Sequence, residues 1–490
     1  MRLSTLLISG AAALCASVSA SAPNATRDQS RQILLSEFKP PQVFENTNLV
    51  RNVNLEKGYP RETINVVVKN VDKEPQTYYY LAFDATVVDR VGGLEVRNKK
   101  SEIAEPYQID FGSFSETDAV NFYRISIDPP LAPSADLTLS ISYTVLSALT
   151  PLPSVIEQMD SQTVTYNTSA YAISAYKTHN QKTKLRFPST NIPDYTTLPS
   201  TSSDNPSDPT RQGASFTYGP YVDIPALTTA PISFRYEFTK PLLHAPSLQR
   251  DIEVSHWGGN VAFEEHYALH NRAAALKNHF SRVQWQMTQY SSPPTTALKE
   301  LRIPLRAGSS DPYYTDDIGN VTTSRWRPKT GLLEMKPRYP VFGGWKYTFK
   351  MGWNADARMY LKKAGAESYL LRVPFLEGPK MAEGVEYEKV SVRVILPEGA
   401  INIGLNTTVP IESSEISIHR TFMDTLGRPT VIIHATNVVD EWRDKGDLLI
   451  TYDYPWTAGY RKPLTLAAAV FSLFAAVWVL GKVDTRIGKK

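Results

Sequence analysis

Cysteine is nearly absent from this chain. The single one among 490 residues is Cys15, and it lies in an N-terminal segment that reads as removable. The mature chain is therefore expected to carry no disulfide, iron–sulfur cluster, thiolate zinc site or Cys nucleophile, and to hold together by burial alone. An excess of one charge is also lacking. Lys plus Arg number 52 against 49 Asp plus Glu, a net of +3 that gives no case for a nucleic-acid partner. No G-x-S-x-G elbow, Walker A loop or G-x-G-x-x-G turn occurs, which removes the commonest hydrolase and nucleotide-binding signatures. What is present is aromatic and Pro-rich: Tyr (26) outnumbers Phe (18), and Pro reaches 35. With abundant Val, Ile and Thr, this composition favours strands and long loops. At about 150 residues per domain, the length suits two to three domains.

The two ends define a compartment. Arg2, the apolar run Leu6 to Val18 and the small residues Val18-Ser19-Ala20 occur in the order of a secretory signal peptide, so residues 1–20 are expected to be cleaved off. A second apolar segment, Leu464 to Leu480 followed by Gly481, is uncharged. Residues 464–481 would form a helix about 27 Å long, enough for a thin bilayer. Arg461 and Lys462 precede it, and Lys482, Arg486, Lys489 and Lys490 follow, so the positive-inside rule alone does not orient it. The signal peptide does, placing residues 21–460 in the lumen and the tail 482–490 in the cytosol as a single-pass type I protein. The terminal Lys489-Lys490 pair is reminiscent of a retrieval signal, although the dilysine form sits two residues further in.

Four N-x-[ST] sequons, at Asn24, Asn167, Asn320 and Asn406, fall in the expected lumenal part, while Asn205 is excluded by Pro206. Asn320 follows the turn-forming Asp316-Asp-Ile-Gly and is the first choice for glycosylation, with Asn167 and Asn406 next.

The lumenal part reads as mainly β, a β-rich α+β chain of two tandem, similar β-sandwich-like domains, 21–240 and 241–460, followed by one transmembrane helix. Thr63 to Val71, Thr77 to Val88, Phe122 to Ile127, Leu137 to Val145 and Ile232 to Phe238 alternate as strands in the first half. Residues 188–215 read as a long exposed loop. Arg250 to Trp257, Val385 to Leu396, Thr430 to His434 and Leu448 to Tyr454 are the strands of the second half. Tyr267 to Phe280 is expected to be helical because Ala273-Ala-Ala-Leu favours a helix, and Asp356 to Lys363 is a second short helix. Each half closes alike: a Gly/Pro turn, a strand, a loop, then an alternating strand ending in aromatics and proline.

Residues that could carry chemistry are few. His266 and His270 have the i, i+4 spacing of helical zinc ligands, but Tyr267 stands where a zincin needs Glu. Gly343-Gly344 reads as a tight turn between aromatics rather than a phosphate cradle. Glu264-Glu265 and Asp316-Asp317 are adjacent carboxylates, which a strand would point to opposite faces. No catalytic residue, metal site or cofactor site is expected.

Several segments resemble one family. Phe44-Glu-Asn-Thr-Asn-Leu-Val-Arg51, Ser255-His-Trp-Gly258, Tyr313-Tyr-Thr-Asp-Asp-Ile-Gly-Asn-Val-Thr-Thr-Ser324, Arg338-Tyr-Pro-Val-Phe-Gly-Gly-Trp-Lys346, Ile395-Leu-Pro-Glu-Gly-Ala400 and Leu426-Gly-Arg-Pro429 are similar to ribophorin I, the alpha subunit of the eukaryotic oligosaccharyltransferase. The resemblance covers nearly the whole ectodomain and ends in one span. Animal members carry a long cytosolic segment after the span; this chain stops nine residues after it, like the fungal members.

The resemblance implies a non-catalytic subunit of the endoplasmic reticulum membrane. The complex transfers a preassembled glycan from dolichol pyrophosphate to Asn of N-x-[ST] in nascent chains. Its catalytic subunit is a separate polytopic protein with a Trp-Trp-Asp motif, and this chain has no Trp-Trp pair. Implied partners are the other subunits, including the catalytic polytopic one and a small membrane subunit, and nascent polypeptides, with the translocon as a further candidate. In the span, Ala468, Ser472 and Ala476, with Ala475 beside them, form a small-residue stripe suited to helix docking, while Phe471, Phe474 and Trp478 project elsewhere. Two other readings stay open: a membrane-anchored lumenal chaperone or cargo receptor, and a lumenal peptidase, which the missing His-Glu-x-x-His opposes.

Overall fold

The computed structural model describes residues 32–33, 38–100, 105–113, 120–199, 208–291, 294–421 and 424–482. The expected signal peptide, Asn24, Asn205 and the tail after Lys482 lie outside the described residues.

In the first half the alternating runs form β1 (Phe44–Asn54), β2 (Arg61–Asn70), β3 (Val91–Asn98), β4 (Asp136–Val145), β5 (Thr163–Ser169), β6 (Thr178–Arg186), β7 (Thr210–Gln212), β8 (Ser215–Ile224) and β9 (Pro231–Glu237). The main sheet has the order β7-β8-β6-β1-β2-β4-β3, with β6 and β1 parallel and the other neighbours antiparallel. β5 and β9 pair in a smaller sheet whose Val164, Tyr166, Phe234 and Tyr236 pack with Leu185, Phe216 and Tyr218 of the main one. A further sheet, built on Gln76–Asp84 and Val120–Leu131, closes a second core through Leu81, Phe83, Phe122 and Ile125. Two faced sheets are the arrangement that period-2 patterning requires, because each strand must hide one side.

The second half adds β10 (Leu243–Ser255), β11 (Asn260–Asn271), α1 (Arg282–Ser291), β12 (Ser309–Asp316), β13 (Gly319–Asn320), β14 (Lys346–Asp356), β15 (Ser368–Pro374), β16 (Val385–Ile395), β17 (Ile401–Thr407), β18 (Ser413–His419), β19 (Arg428–Val439), β20 (Asp447–Asp453) and α2 (Arg461–Lys482). Its main sheet runs β13-β12-β14-β11-β10-β16-β19-β18, with β10 and β16 parallel. The run β19-β16-β10-β11-β14-β12 repeats β8-β6-β1-β2-β4-β3 strand for strand, in the same chain order and with the parallel pair in the same place. β15 and β20 pair antiparallel in a smaller sheet and enter the chain at the points where β5 and β9 do in the first half. Two copies of one β-rich topology therefore precede a single long helix.

The helix expected over Tyr267 to Phe280 is a correction. Strict alternation buries Val261, Phe263, Glu265, Tyr267, Leu269 and Asn271, so β11 runs on to Asn271. The alanines that favoured a helix serve close packing instead. A Cβ on Gly343 would lie 2.0 Å from the Ala274 carbonyl oxygen and 2.4 Å from that of Ala273. The small side chains let two backbones touch, and that tertiary contact overrides propensity. Gly344, at φ +80°, makes the expected tight turn. Asp356 to Lys363 also falls short of a helix: a 3₁₀ turn, Ala357–Met359, is capped by Asp356 and followed by a strand, Leu361–Lys363. The strand expected to Val88 stops at Asp84, whose side chain accepts from the Thr86 amide and starts a one-turn helix. The loop expected over 188–215 contains short strands at Asp194–Tyr195 and Thr210–Gln212.

The halves interlock. Asp440 accepts from the buried Tyr59 hydroxyl at 2.5 Å and from Lys57 at 3.0 Å, and Arg61 pairs with Glu441 at 2.8 Å. Asn437 donates to the carbonyls of Asp89 and Val91 at 2.8 and 3.1 Å. Gly92 lies so close that an added Cβ would sit 1.8 Å from the Asn437 carbonyl oxygen. On the other side of the junction, Val155–Ile156 pairs in parallel with Ala275–Leu276, and the Ala274 amide donates to Gln162 Oε1 at 2.6 Å.

Candidate functional site

The three sequon asparagines among the described residues, Asn167, Asn320 and Asn406, sit on exposed strand positions. Asn320 lies on β13, just past the turn in which Asp316 Oδ1 accepts from the amides of Ile318 and Gly319 at 3.0 and 3.1 Å. Arg338 braces this hairpin, its Nε 2.5 Å from Asp316 and its Nη2 3.0 Å from the Asn320 carbonyl oxygen. Asn167 faces outward from β5, where its Oδ1 accepts from Ser233 Oγ at 2.7 Å. Asn406 faces outward from β17.

The titratable residues singled out by sequence do not converge. His266 and His270 lie on β11, not on a helix. Four residues along a strand are about 13 Å, too far for one metal ion. His266 is instead held by Glu264, which also accepts from Tyr313. Glu265 points the opposite way, fully buried. Among the described residues no cluster of His, Cys, Asp and Glu is arranged to hold a metal ion.

Two buried charge clusters occupy related places in the repeat. In the first half Arg51 of β1 meets Glu62 of β2 through Nε at 2.7 Å and Nη2 at 2.9 Å, and the carboxylate also accepts from Tyr143 at 2.7 Å and Tyr166 at 3.0 Å. In the second half Arg250 of β10 binds Glu265 of β11 and, at 2.6 Å, Glu377, while Tyr267 donates to Glu265 at 2.7 Å. Burial alone would raise the Glu62 carboxyl, but Arg51 and the two tyrosines hold it below the usual range. Burial dominates at Glu265 and raises it, because Glu377 shares the same guanidinium. These groups are closed to solvent and hydrogen-bonded to one another, an arrangement that fixes strand register rather than one that meets a substrate. A cavity of about 300 Å³ beside the join of the halves is lined by Lys240, Lys299, Glu300 and Glu383 among apolar residues.

Sequence reasoning missed the junction between the second half and α2. The Trp257 indole, in the turn between β10 and β11, donates to the Gly459 carbonyl at 2.9 Å. His256 beside it packs edge-on against Tyr369, accepts or donates at Tyr452 Oη at 2.8 Å, and is pushed down in pKa by burial. Lys462, in the first turn of α2, pairs with Asp424 at 2.9 Å, and Arg428 approaches the same oxygen at 3.3 Å. Burial would raise the Asp424 carboxyl; hydrogen bonds from Lys462 and Thr421 and the Arg428 charge hold it well below the usual range. Glu398 accepts from the amides of Thr425 and Leu426 at 2.8 and 2.7 Å, fixing the loop that carries Asp424. A Cβ on Gly399 would lie 2.8 Å from Ala458 Cβ, so the chain entering α2 is packed against the domain. α2 itself has 22 residues, about 33 Å of helix, and none of them is buried. Ala468, Ser472, Ala475 and Ala476 share one of its faces, and Ser472 Oγ donates back to the Ala468 carbonyl at 2.7 Å.

The model of the Ribophorin I family matches residues 44–481. A Caenorhabditis elegans protein named dolichyl-diphosphooligosaccharide–protein glycosyltransferase subunit 1 is 32% identical over 461 residues, 93% of this chain and 75% of that one. Its Schizosaccharomyces pombe namesake is 30% identical over 444 residues, 90% and 95% of the two chains. The Arabidopsis thaliana subunit 1B is 28% identical over 465 residues, 93% and 96%. Among solved structures, yeast LTA4 hydrolase with bestatin aligns at a TM-score of 0.29 and 11% identity over 47% of this chain and 33% of that one, a likeness too slight to carry any argument. The match begins with β1 and runs to the end of α2, and the chain belongs to the ribophorin I family.

Proposed function

We propose that this chain is a non-catalytic, architectural subunit of the oligosaccharyltransferase, the complex that transfers a preassembled glycan from dolichol pyrophosphate to Asn of N-x-[ST] in nascent polypeptides. The observation that carries the reading is the family match over residues 44–481, with relatives named as subunit 1 of that transferase. The architectural role draws support from the interlocked halves, from charge clusters closed to solvent and from the packed junction with α2. In this reading 21–240 and 241–460 are two lumenal domains, α2 crosses the endoplasmic reticulum membrane once, and the tail is cytosolic. The expected signal peptide and the sequons, all N-terminal to α2, support that orientation.

The face of α2 bearing Ala468, Ser472, Ala475 and Ala476 docks a neighbouring membrane subunit. Because the Ser472 hydroxyl is satisfied within the helix, association there rests on close packing rather than on an interhelical hydrogen bond. Partners in this reading are the catalytic polytopic subunit, a small membrane subunit, nascent chains and the translocon. Asn320, Asn167 and Asn406 carry glycans. Depletion of the chain, followed by in vitro transfer of glycan to an acceptor peptide, tests the role: transfer falls if the chain is a subunit and is unchanged if it is a free-standing cargo receptor.

A further inference from the structure

We infer that the second half does not hang clear of the membrane but rests on it, with Trp257, Ile418, Leu426, Trp456 and Tyr460 set into the lipid headgroup layer. The inference rests on α2 being a span. A helix of 22 residues is about as long as the hydrocarbon core is thick, so its first residues, Arg461 and Lys462, lie at headgroup level. Whatever is bonded sideways to that turn lies at the same depth. Trp257 is bonded to Gly459, two residues before α2, yet the residue is 66% exposed. Trp456 and Tyr460 are 70% and 58% exposed and pack edge to face. On the other tether, Asp424 holds Lys462, and Leu426, two residues on, is 57% exposed. Ile418 on β18, an edge strand, is 66% exposed and lies against Gly427, where an added Cβ would sit 2.5 Å from Ile418 Cγ2.

Single exposed apolar side chains are ordinary on a protein surface. Five of them gathered around the entry of an apolar helix, three being Trp or Tyr, have the composition of an interfacial belt. The ring of an indole has an apolar body and a polar N–H, and here the N–H is already spent on Gly459 while the body faces outward. The junction is also too tightly tied to swing away. Lys462–Asp424, Trp257–Gly459 and the Gly399–Ala458 contact approach the helix entry from three separate segments of the domain. The partner chemistry is a lipid surface, and the effect is to fix the tilt of the lumenal body relative to the bilayer.

The near-absence of cysteine makes the test direct. Ile418→Cys, Leu426→Cys and Trp456→Cys, one at a time in the full mature chain, are spin-labelled and reconstituted in phosphatidylcholine vesicles. Collision rates with oxygen, which concentrates in lipid, and with a water-soluble nickel chelate are then compared. Val470→Cys in mid-helix is the lipid reference and Ile318→Cys, on the Asn320 hairpin, the water reference. The expected result is an oxygen-to-nickel ratio at 418, 426 and 456 shifted from the 318 value toward the 470 value. Ratios equal to that at 318, with 470 reading as lipid, overturn the inference and leave the span intact. Protection from both reagents means a protein cover and overturns it as well. A water-like 470 overturns the span reading on which the inference stands.

Discussion

Replacing one buried glutamate in each half should have unequal consequences. In Glu62→Gln the side chain keeps its shape but loses its charge and one acceptor oxygen. Each Glu62 oxygen receives one Arg51 N–H and one tyrosine hydroxyl, at 2.7 to 3.0 Å. Whichever way the amide turns, its NH₂ faces an Arg51 donor, and the guanidinium is left buried without a counter-charge. Breaking a buried pair from one side costs about 3–5 kcal/mol. In a domain of this size that is roughly 10 °C in Tm. In Glu265→Gln the starting point differs, because Arg250 already faces a second carboxylate, Glu377, and burial raises the Glu265 carboxyl. The amide oxygen can accept from Arg250 and its NH₂ can donate to Tyr267, so the change should cost less than about 1 kcal/mol near neutral pH.

The pH dependence carries the same contrast. Glu62 is depressed in the folded state, so its contribution is present above the ordinary glutamate range and is lost as pH falls through its folded value. Glu265 is raised, so between the ordinary value and its folded value the native state holds a proton the unfolded chain has released. Stability then falls as pH rises across that window, and Glu265→Gln removes the slope. Thermal unfolding of the full chain in detergent, followed by near-ultraviolet circular dichroism at several pH values, reads both effects. Equal losses for the two variants, or a larger loss for Glu265→Gln, would refute the contrast between an arginine held by one carboxylate and an arginine held by two.

Three further outcomes are expected. Site-resolved mass spectrometry of the mature protein should find a glycan on Asn320, and Asn320→Gln should remove one glycan's mass from the chain; an unmodified Asn320 counts against the site. Ala468→Leu with Ser472→Leu should release the chain from its membrane neighbour in co-purification, whereas Val470→Leu with Val477→Leu should not; retention after the first pair would move the docking contact to the lumenal domains. Asp424→Asn should loosen the helix entry, seen as faster hydrogen exchange over residues 458–463. Because the Asp424 carboxyl is held well below the usual range, the wild-type junction should begin to loosen only once pH falls below the ordinary aspartate range, and should match the variant only as pH falls through that depressed value.

Much of the fold was legible because each main strand hides one face, and the period-2 pattern of segments such as Leu137 to Val145 survives in their burial. The repeat was visible in sequence only at its two closings; the shared strand order emerges from pairings far apart in the chain, which no local pattern encodes. Ala273-Ala-Ala misled because alanine satisfies two demands, helix propensity and close backbone approach, and Gly343 decides between them from 70 residues away. The buried clusters do leave a signal in the sequence. Arg51 stands in register between Leu49 and Val53, and Glu265 between Phe263 and Tyr267, charges where an apolar residue is expected. The junction left less: Trp257 belongs to a recognisable motif, but its tie to Gly459 and that of Lys462 to Asp424 are tertiary contacts.

The most direct test of the architectural role is a reconstitution. The assembled transferase, purified through a tag on this chain, is assayed for glycan transfer to an acceptor peptide beside the chain purified alone and beside membranes depleted of it. The account predicts transfer by the assembly, none by the chain alone and a loss in the depleted membranes that the full chain restores. Turnover by the isolated chain, abolished by a point substitution within it, would contradict the account, as would undiminished transfer after its depletion.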